Sequence, residues 1–296
     1  MYFLNEQIEI MTFLQNALRT PFNDLFFKFW NFFDAREFFF LFIPFIWLGC
    51  HRKLGIKIFY GTLISSFVNS CLKEYFQCPR PFVFSPELAV ITVSGLSFPS
   101  GAAQTSVWLP FILAMQLKRN IFWVLSVCFA LFLSFSRVYL GVHFPLDLLA
   151  GWFVGGGILC FLLSPRGFER VFSFWEAGNK TWRVLYVLLI ACILFTHSRK
   201  GYSLALVFMG VHMGMLFFPK YDFQIKNICM GDRLLRVFLG LLGIITLSFT
   251  CSIFSSLFSL EYRVFVEIPF YFLIGAWLSV GANIVYIMKA RIELTP

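Results

Sequence analysis

Long apolar runs alternate along this chain with short connections that hold most of its Lys and Arg. Several runs approach the ~20 residues that a helix needs to cross a bilayer. The pattern predicts spans over residues 37–50, 55–72, 100–117, 121–137, 145–164, 183–198, 201–219, 234–257 and 264–288. The first is short, and its flanks can lengthen it. Ahead of the spans the periodicity differs. Leu4, Ile8, Met11, Leu14 and Leu18 share one helical face, with Asn5, Glu9, Thr12, Asn16 and Arg19 elsewhere. Thr20-Pro21 reads as a cap followed by Pro at a first turn. Phe22, Leu25, Phe26, Phe29 and Phe33 then repeat the helical spacing. Residues 1–35 are therefore expected to form two amphipathic helices, lying in the membrane interface or packing their stripes on the bundle. The fold class implied is all-α, a polytopic membrane helix bundle.

Composition sharpens this picture. Hydrophobic residues make up 59% of the chain and charged residues 13%, which removes an ordinary soluble domain from consideration. A net charge of +9 would suit nucleic acid, but the basic residues form small clusters between spans, so no nucleic-acid partner is expected. Alternating the connections between two sides leaves 15 Lys and Arg on one side and 9 on the other. The richer side should be cytoplasmic, with the C-terminus on it. A multi-pass protein of a bacterial inner membrane is expected. Four of the cysteines, Cys128, Cys160, Cys192 and Cys251, lie inside apolar runs, and no spacing suggests zinc. No basic segment precedes an apolar core at the start, so no cleaved signal peptide is expected. Gly151, Gly155, Gly156 and Gly157 suit close helix packing within the chain.

Three polar stretches fall at the ends of these runs. Lys73 and Arg80-Pro81 close one run, and Phe98-Pro99-Ser100-Gly101 opens another. Ser136-Arg137, His143 and Asp147 straddle the next connection. If Pro145 opens a helix, His143 and Asp147 stack at i, i+4, and the carboxylate can hold one imidazole tautomer. Arg137 offers a planar fork for phosphate oxygens. Ser100 and Gly101 sit where a helix N-terminus favours an anion. Cations at a membrane edge are costly, which argues against a purely structural role. The charge-sorted topology brings all three stretches to the same outer face, periplasmic or lumenal.

In order, the stretches read K-x6-R-P, P-S-G and S-R-x5-H-x3-D. This closely resembles the type-2 phosphatidic acid phosphatase superfamily, which includes membrane lipid phosphatases, glucose-6-phosphatases and vanadium haloperoxidases. The resemblance covers roughly residues 37–165. It implies a six-span phosphatase core over 36–198, with about three further spans over 199–296 outside it; His197 and His212, which have no partner motif, read as structural. It implies that Lys73, Arg80, Arg137, Ser100 and Gly101 hold a phosphoryl group without a metal or cofactor. His143 would attack phosphorus to form a phosphohistidine, oriented by Asp147. The substrate implied is a membrane lipid phosphate or diphosphate; the oligomeric state is left open.

One position departs from the pattern. The superfamily reads P-S-G-H, and here the fourth residue is Ala102. The missing histidine would protonate the leaving oxygen and then activate water. Three readings stay open: an engineered inactive form, a protein that has become a non-catalytic lipid-phosphate binder or transporter, or a substrate whose leaving group needs no acid. A phosphate leaving from a diphosphate satisfies the last; a soluble phosphoester such as a sugar phosphate is the further alternative.

Overall fold

Backbone groups in lipid must find partners within their own segment, which favours helices. The computed structural model describes residues 2–196, 201–219 and 229–294, and the regular elements among them are helical. Helices α1 (Tyr2–Leu18) and α2 (Pro21–Trp30) meet at Thr20, whose hydroxyl accepts from the Asn23 amide at 3.1 Å. A tight turn, Asn31–Asp34, leads to α3 (Arg36–Pro44), which continues as a wider turn through Cys50. Next come α4 (Arg52–Phe76) and the single turn α5 (Pro81–Phe84). Helices α6 (Gly101–Leu117), α7 (Asn120–Tyr139) and α8 (Pro145–Leu163) follow. The short α9 (Phe168–Ala177) precedes α10 (Lys180–Thr196), α11 (Gly201–Phe217) and α12 (Met230–Ser256). Helices α13 (Leu260–Ala276) and α14 (Ala282–Leu294) are joined by a wider turn at Trp277–Gly281.

Among the described residues, four stretches are long and apolar enough to cross a membrane: Asn120–Tyr139, Pro145–Leu163, Met230–Ser256 and Tyr262–Met288. The chain is an all-α, multi-pass membrane protein. Helix α4 runs past the expected end at 72 to Phe76, so Lys73 sits in its last turn. His197 and four cations used for orientation, Arg199, Lys200, Lys220 and Lys226, lie outside the described residues.

Contacts gather the chain into two units, Met1–Phe38 with Tyr60–Val171, and Phe39–Phe59 with Phe172–Pro296. In the first, α6 packs on both α7 and α8. Its closeness to α8 depends on Gly151 and Gly155. A Cβ added there would lie 2.6 Å from the Ser100 oxygen and 2.5 Å from the Gln104 oxygen. Gly156 and Gly157 meet open space instead. Residues 151 and 155 share a face of α8, and the next two turn away from it.

The α1 stripe is a packing face from Leu4 to Leu14, and Leu18 at its end is exposed. Met11 is fully buried against Leu88, Ala103, Val138, Phe144 and Leu148, with Leu4, Ile8 and Leu14 alongside. In α2 the side that packs is Phe27, which meets Tyr139 at 4.3 Å between ring centroids. Phe22, Leu25 and Phe29 of the expected stripe stay exposed, the kind of surface an interfacial helix offers to lipid.

In the second unit α11 packs against α10 and α13, and α12 against α13 and α14. Buried His212 has its Nδ1 2.8 Å from the Phe208 oxygen and its ring among Phe208, Trp175 and Tyr186. That is the structural setting expected for His212.

Candidate active site

Lys73, on the last turn of α4, reaches across to the loop before α6. Its ammonium donates to the carbonyl oxygens of Leu96 and, at 3.2 Å, Ser97. Arg80 grips the same loop, with Nε 2.9 Å from the Gly95 oxygen and Nη2 3.3 Å from the Ser94 oxygen. Its Nη1 donates to the Val142 oxygen at 2.8 Å and lies 3.4 Å from His143 Nε2. One guanidinium therefore ties the first motif to the third. Burial pulls Arg80 below its ordinary value, while Asp34 and then Asp147 oppose that pull. An arginine remains charged through such a shift.

Arg137 comes from the last turn of α7 and is 2% exposed. Its Nη1 donates to Asn31 Oδ1 at 2.8 Å and stands 3.6 Å from Asp34 Oδ2, and its Nε meets Ser136 Oγ at 3.1 Å. Its Nη2 is buried without a hydrogen-bond partner among the described residues. An orphaned buried guanidinium donor costs stability unless something else uses it.

The connection from Arg137 to His143 is wound around one carbonyl. The amides of Val142 and His143 both donate to the Arg137 oxygen, at 3.1 and 3.3 Å. Gly141 adopts φ +75°, and a Cβ there would lie 1.9 Å from the Leu88 oxygen. No other residue fits. From α1, the Gln15 amide nitrogen donates to the Leu88 oxygen at 2.8 Å and the Tyr139 oxygen at 2.7 Å, fastening both sides of this turn.

His143 and Asp147 stack as their spacing predicts. His143 Nδ1 is 3.2 Å from Asp147 Oδ2, which also accepts from the Phe144 amide at 2.9 Å and from the Ser97 hydroxyl. Asp147 thus caps α8 and orients the imidazole at once. The network assigns the proton to Nδ1 and leaves the Nε2 lone pair towards Arg80. Burial lowers the His143 pKa to about 4; the Asp147 hydrogen bond resists this, and Lys73 and Arg80 add to it. The imidazole is therefore neutral at neutral pH.

Ser100 caps α6, accepting from the Ala103 amide at 3.3 Å, while its own amide donates to the Asp147 oxygen at 3.0 Å. The Ser100 amide therefore joins the second motif to the third. The Gly101 and Ala102 amides lie in the first turn of α6, where a helix has no acceptor of its own. Ala102 is fully buried, and a Cβ added at Gly101 would lie 3.4 Å from Asn69 Oδ1; the Asn69 amide nitrogen donates to the Pro99 oxygen at 3.0 Å.

Hydrogen bonds thus link the three motifs in the first unit: Lys73 reaches Asp147 through Ser97, Arg80 reaches Val142 and His143, and Ser100 reaches Asp147, while the Arg137 guanidinium is held by Asn31, Asp34 and Ser136. Sequence reasoning missed Gln15, Asn31, Asp34 and Ser97. Asn31 is 106 residues from the arginine it binds, and no local pattern marks it.

Residues 54–170 match the PAP2 superfamily. A dihydrosphingosine 1-phosphate phosphatase of Saccharomyces cerevisiae is 30% identical over 72% of this chain and 56% of its own length. An undecaprenyl-diphosphatase of Sulfolobus acidocaldarius is 32% identical over 36% of the chain and 52% of its length. The glucose-6-phosphatase 3 of Rattus norvegicus is 31% identical, with 48% of each chain covered. The chain spans about half the length of these curated relatives. No solved structure matches it significantly. With its three motifs gathered around His143, the chain carries a PAP2 superfamily domain over residues 54–170.

Proposed function

We propose that this chain is an integral-membrane phosphatase or phosphotransferase acting on a lipid phosphate or lipid diphosphate at the non-cytoplasmic face. The observation that carries the reading is His143, held by Asp147 through Nδ1 with Nε2 turned to Arg80. In the proposed reaction Nε2 bonds to phosphorus as the bond to the leaving oxygen breaks, giving a phosphohistidine. Asp147 stabilises the positive imidazole that results. Water or another hydroxyl then takes the phosphoryl group and releases His143. Phosphoryl transfer needs charge clamping more than covalent assistance, and Arg80, Arg137 and Lys73 supply the clamp with the N-terminus of α6 at Ser100 and Gly101.

The lipid part rests on the surroundings. Tyr75, Phe76, Val83, Phe84 and Leu146, close in sequence to Lys73, Arg80 and His143, are all exposed. Such apolar surface beside a phosphate site suits an acyl or isoprenoid chain. The activities for which the yeast and archaeal relatives are named, a dihydrosphingosine 1-phosphate phosphatase and an undecaprenyl-diphosphatase, point the same way.

The test is a paired assay with a lipid monophosphate and a lipid diphosphate in detergent, with rapid-quench trapping of labelled enzyme. Turnover and a labelled protein, both lost in His143→Ala, are expected. Phosphate binding without turnover in either the natural sequence or Ala102→His would sink this reading and leave a non-catalytic lipid-phosphate binder.

A further inference from the structure

Alanine cannot donate a proton, and position 102 is where the superfamily pattern places its acid. A lipid alkoxide leaves poorly without protonation. The question is whether another group in the first unit stands where it can give one. Asp147 is committed, with a single oxygen receiving His143, Phe144 and Ser97. Ser97 donates its one proton to Asp147. Asp24 is occupied by the Tyr139 hydroxyl at 2.6 Å.

Asp34 is placed differently. It ends the Asn31–Asp34 turn, which packs on α6, the helix carrying Ala102, and on α7, the helix carrying Arg137. Its Oδ2 lies 3.6 Å from Arg137 Nη1, and 35% of its side-chain surface is open. Its field reaches Arg137, Lys73 and Arg80, the three cations of the site. It also lies outside residues 54–170, in a part of the chain that the superfamily match does not include. Resting on the phosphohistidine reading above, we infer that Asp34 is the general acid and base of this site, supplied by the N-terminal turn in place of a histidine at position 102.

In the first step His143 Nε2 bonds to phosphorus, the bond from phosphorus to the leaving oxygen breaks, and that oxygen takes the proton of the Asp34 carboxylic acid. In the second step the Asp34 carboxylate takes a proton from water as the hydroxide bonds to phosphorus and the bond from phosphorus to nitrogen breaks. His143 returns neutral, Asp34 returns protonated, and the products are an alcohol and phosphate.

The charges facing Asp34 make this sequence reasonable. Burial raises its carboxyl above the usual value, while Arg137, then Lys73 and Arg80, pull it down. Its open surface weakens the first effect. The packed face of α6 brings no charged group, since Gly101–Leu117 contains none. α7 brings only Arg137, in its last turn; α2, which also packs on the turn, brings Lys28 and an Asp24 already occupied by Tyr139; α3, which follows the turn, opens with Arg36 and Glu37; and on the turn itself Asn31 is neutral. A bound phosphoryl dianion neutralises those same three cations, removing what holds the carboxyl down and adding a like charge. Substrate binding thereby loads the acid.

A carboxylate beside Arg137 could instead be a stand-in for phosphate that leaves when substrate arrives, and the experiment separates the two. Asp34→Asn keeps the shape and loses the proton. The probe is a lipid monophosphate, assayed over pH with the natural sequence, Asp34→Asn, His143→Ala, Ala102→His and the Asp34→Asn/Ala102→His pair. Expected is a ~10²–10⁴-fold fall in Asp34→Asn, loss of the high-pH decline in kcat/KM, and recovery in the double variant. That recovery also shows that Asp34→Asn folds. Asp34→Asn turning over at or above the natural rate with an unchanged pH profile overturns the role and favours the stand-in. A natural sequence that is inactive until Ala102→His is introduced overturns it too, while the phosphohistidine reading survives. If His143→Ala turns over as the natural sequence does, the underlying reading fails and the acid with it.

Discussion

Replacing Gly141 by Ala tests how closely the chemistry depends on one turn. The residue sits two positions before His143 at φ +75°, and its missing side chain is what lets the Leu88 carbonyl oxygen approach. A Cβ would start 1.9 Å from that oxygen, so one of the two segments must retreat by about 1.5 Å to reach ordinary contact. The left-handed backbone adds strain of about 1–2 kcal/mol. Neither segment moves alone, because Gln15 fastens Leu88 and Tyr139 together. The displacement should therefore reach His143, where a misplacement of ~1 Å costs ~10²-fold in rate. Phosphate release and the thermal midpoint in detergent would be measured beside Gly95→Ala. Gly95 has φ +88° but would meet nothing within 4 Å, so it reports strain without the clash. Gly141→Ala matching Gly95→Ala in both rate and midpoint would refute the argument.

Two further outcomes follow from the same site. Asp147→Asn should lower turnover by ~10²–10⁴-fold, because an amide can present its NH2 to Nδ1 and reverse the tautomer. It should also cost about 1 kcal/mol as α8 loses its charged cap; quantitative trapping of phosphohistidine at the natural rate would contradict this. Stability should fall on acidification between the ordinary histidine value of 6.5 and the His143 value of about 4. In that window the unfolded chain binds a proton that the folded chain refuses, so the contribution is complete above 6.5 and decreases below it. Its size is up to about 3 kcal/mol. Thermal midpoints against pH for the natural sequence and His143→Ala should diverge only there, and parallel curves would mean that His143 is not buried neutral.

Much of the fold was legible because a bilayer demands long apolar segments and gives them little choice of structure. The ends were less legible. Phe76, where α4 stops, follows Lys73 on a polar turn that hydropathy alone reads as outside the span. The amphipathic stripes of residues 1–35 could be read, but not what faced them. Met11 is buried against protein, while Phe22, Leu25 and Phe29 stay exposed. Apolar spacing is the same whether the neighbour is a helix or a lipid. Gly156 and Gly157 show the same limit, since their composition matches that of Gly151 and Gly155 and only the angle around α8 separates them.

By itself the sequence determined the helical, membrane-embedded class and the chemistry offered at the site. Period and length set the first, and the residue types and spacing of Lys73, Arg80, Ser100, Arg137, His143 and Asp147 set the second. The local pairing of His143 with Asp147 was within its reach, because i, i+4 on one helix is short-range geometry. Tertiary structure alone decided which distant groups complete the constellation. Asn31 and Asp34 meet Arg137, Ser97 meets Asp147, and Gln15 fastens the turn at Gly141, each across a gap that no periodicity spans. The reason is physical. A buried guanidinium or carboxylate must satisfy its donors and acceptors from whatever segment the packed helices bring beside it, and that neighbour is set by three-dimensional packing rather than by position along the chain.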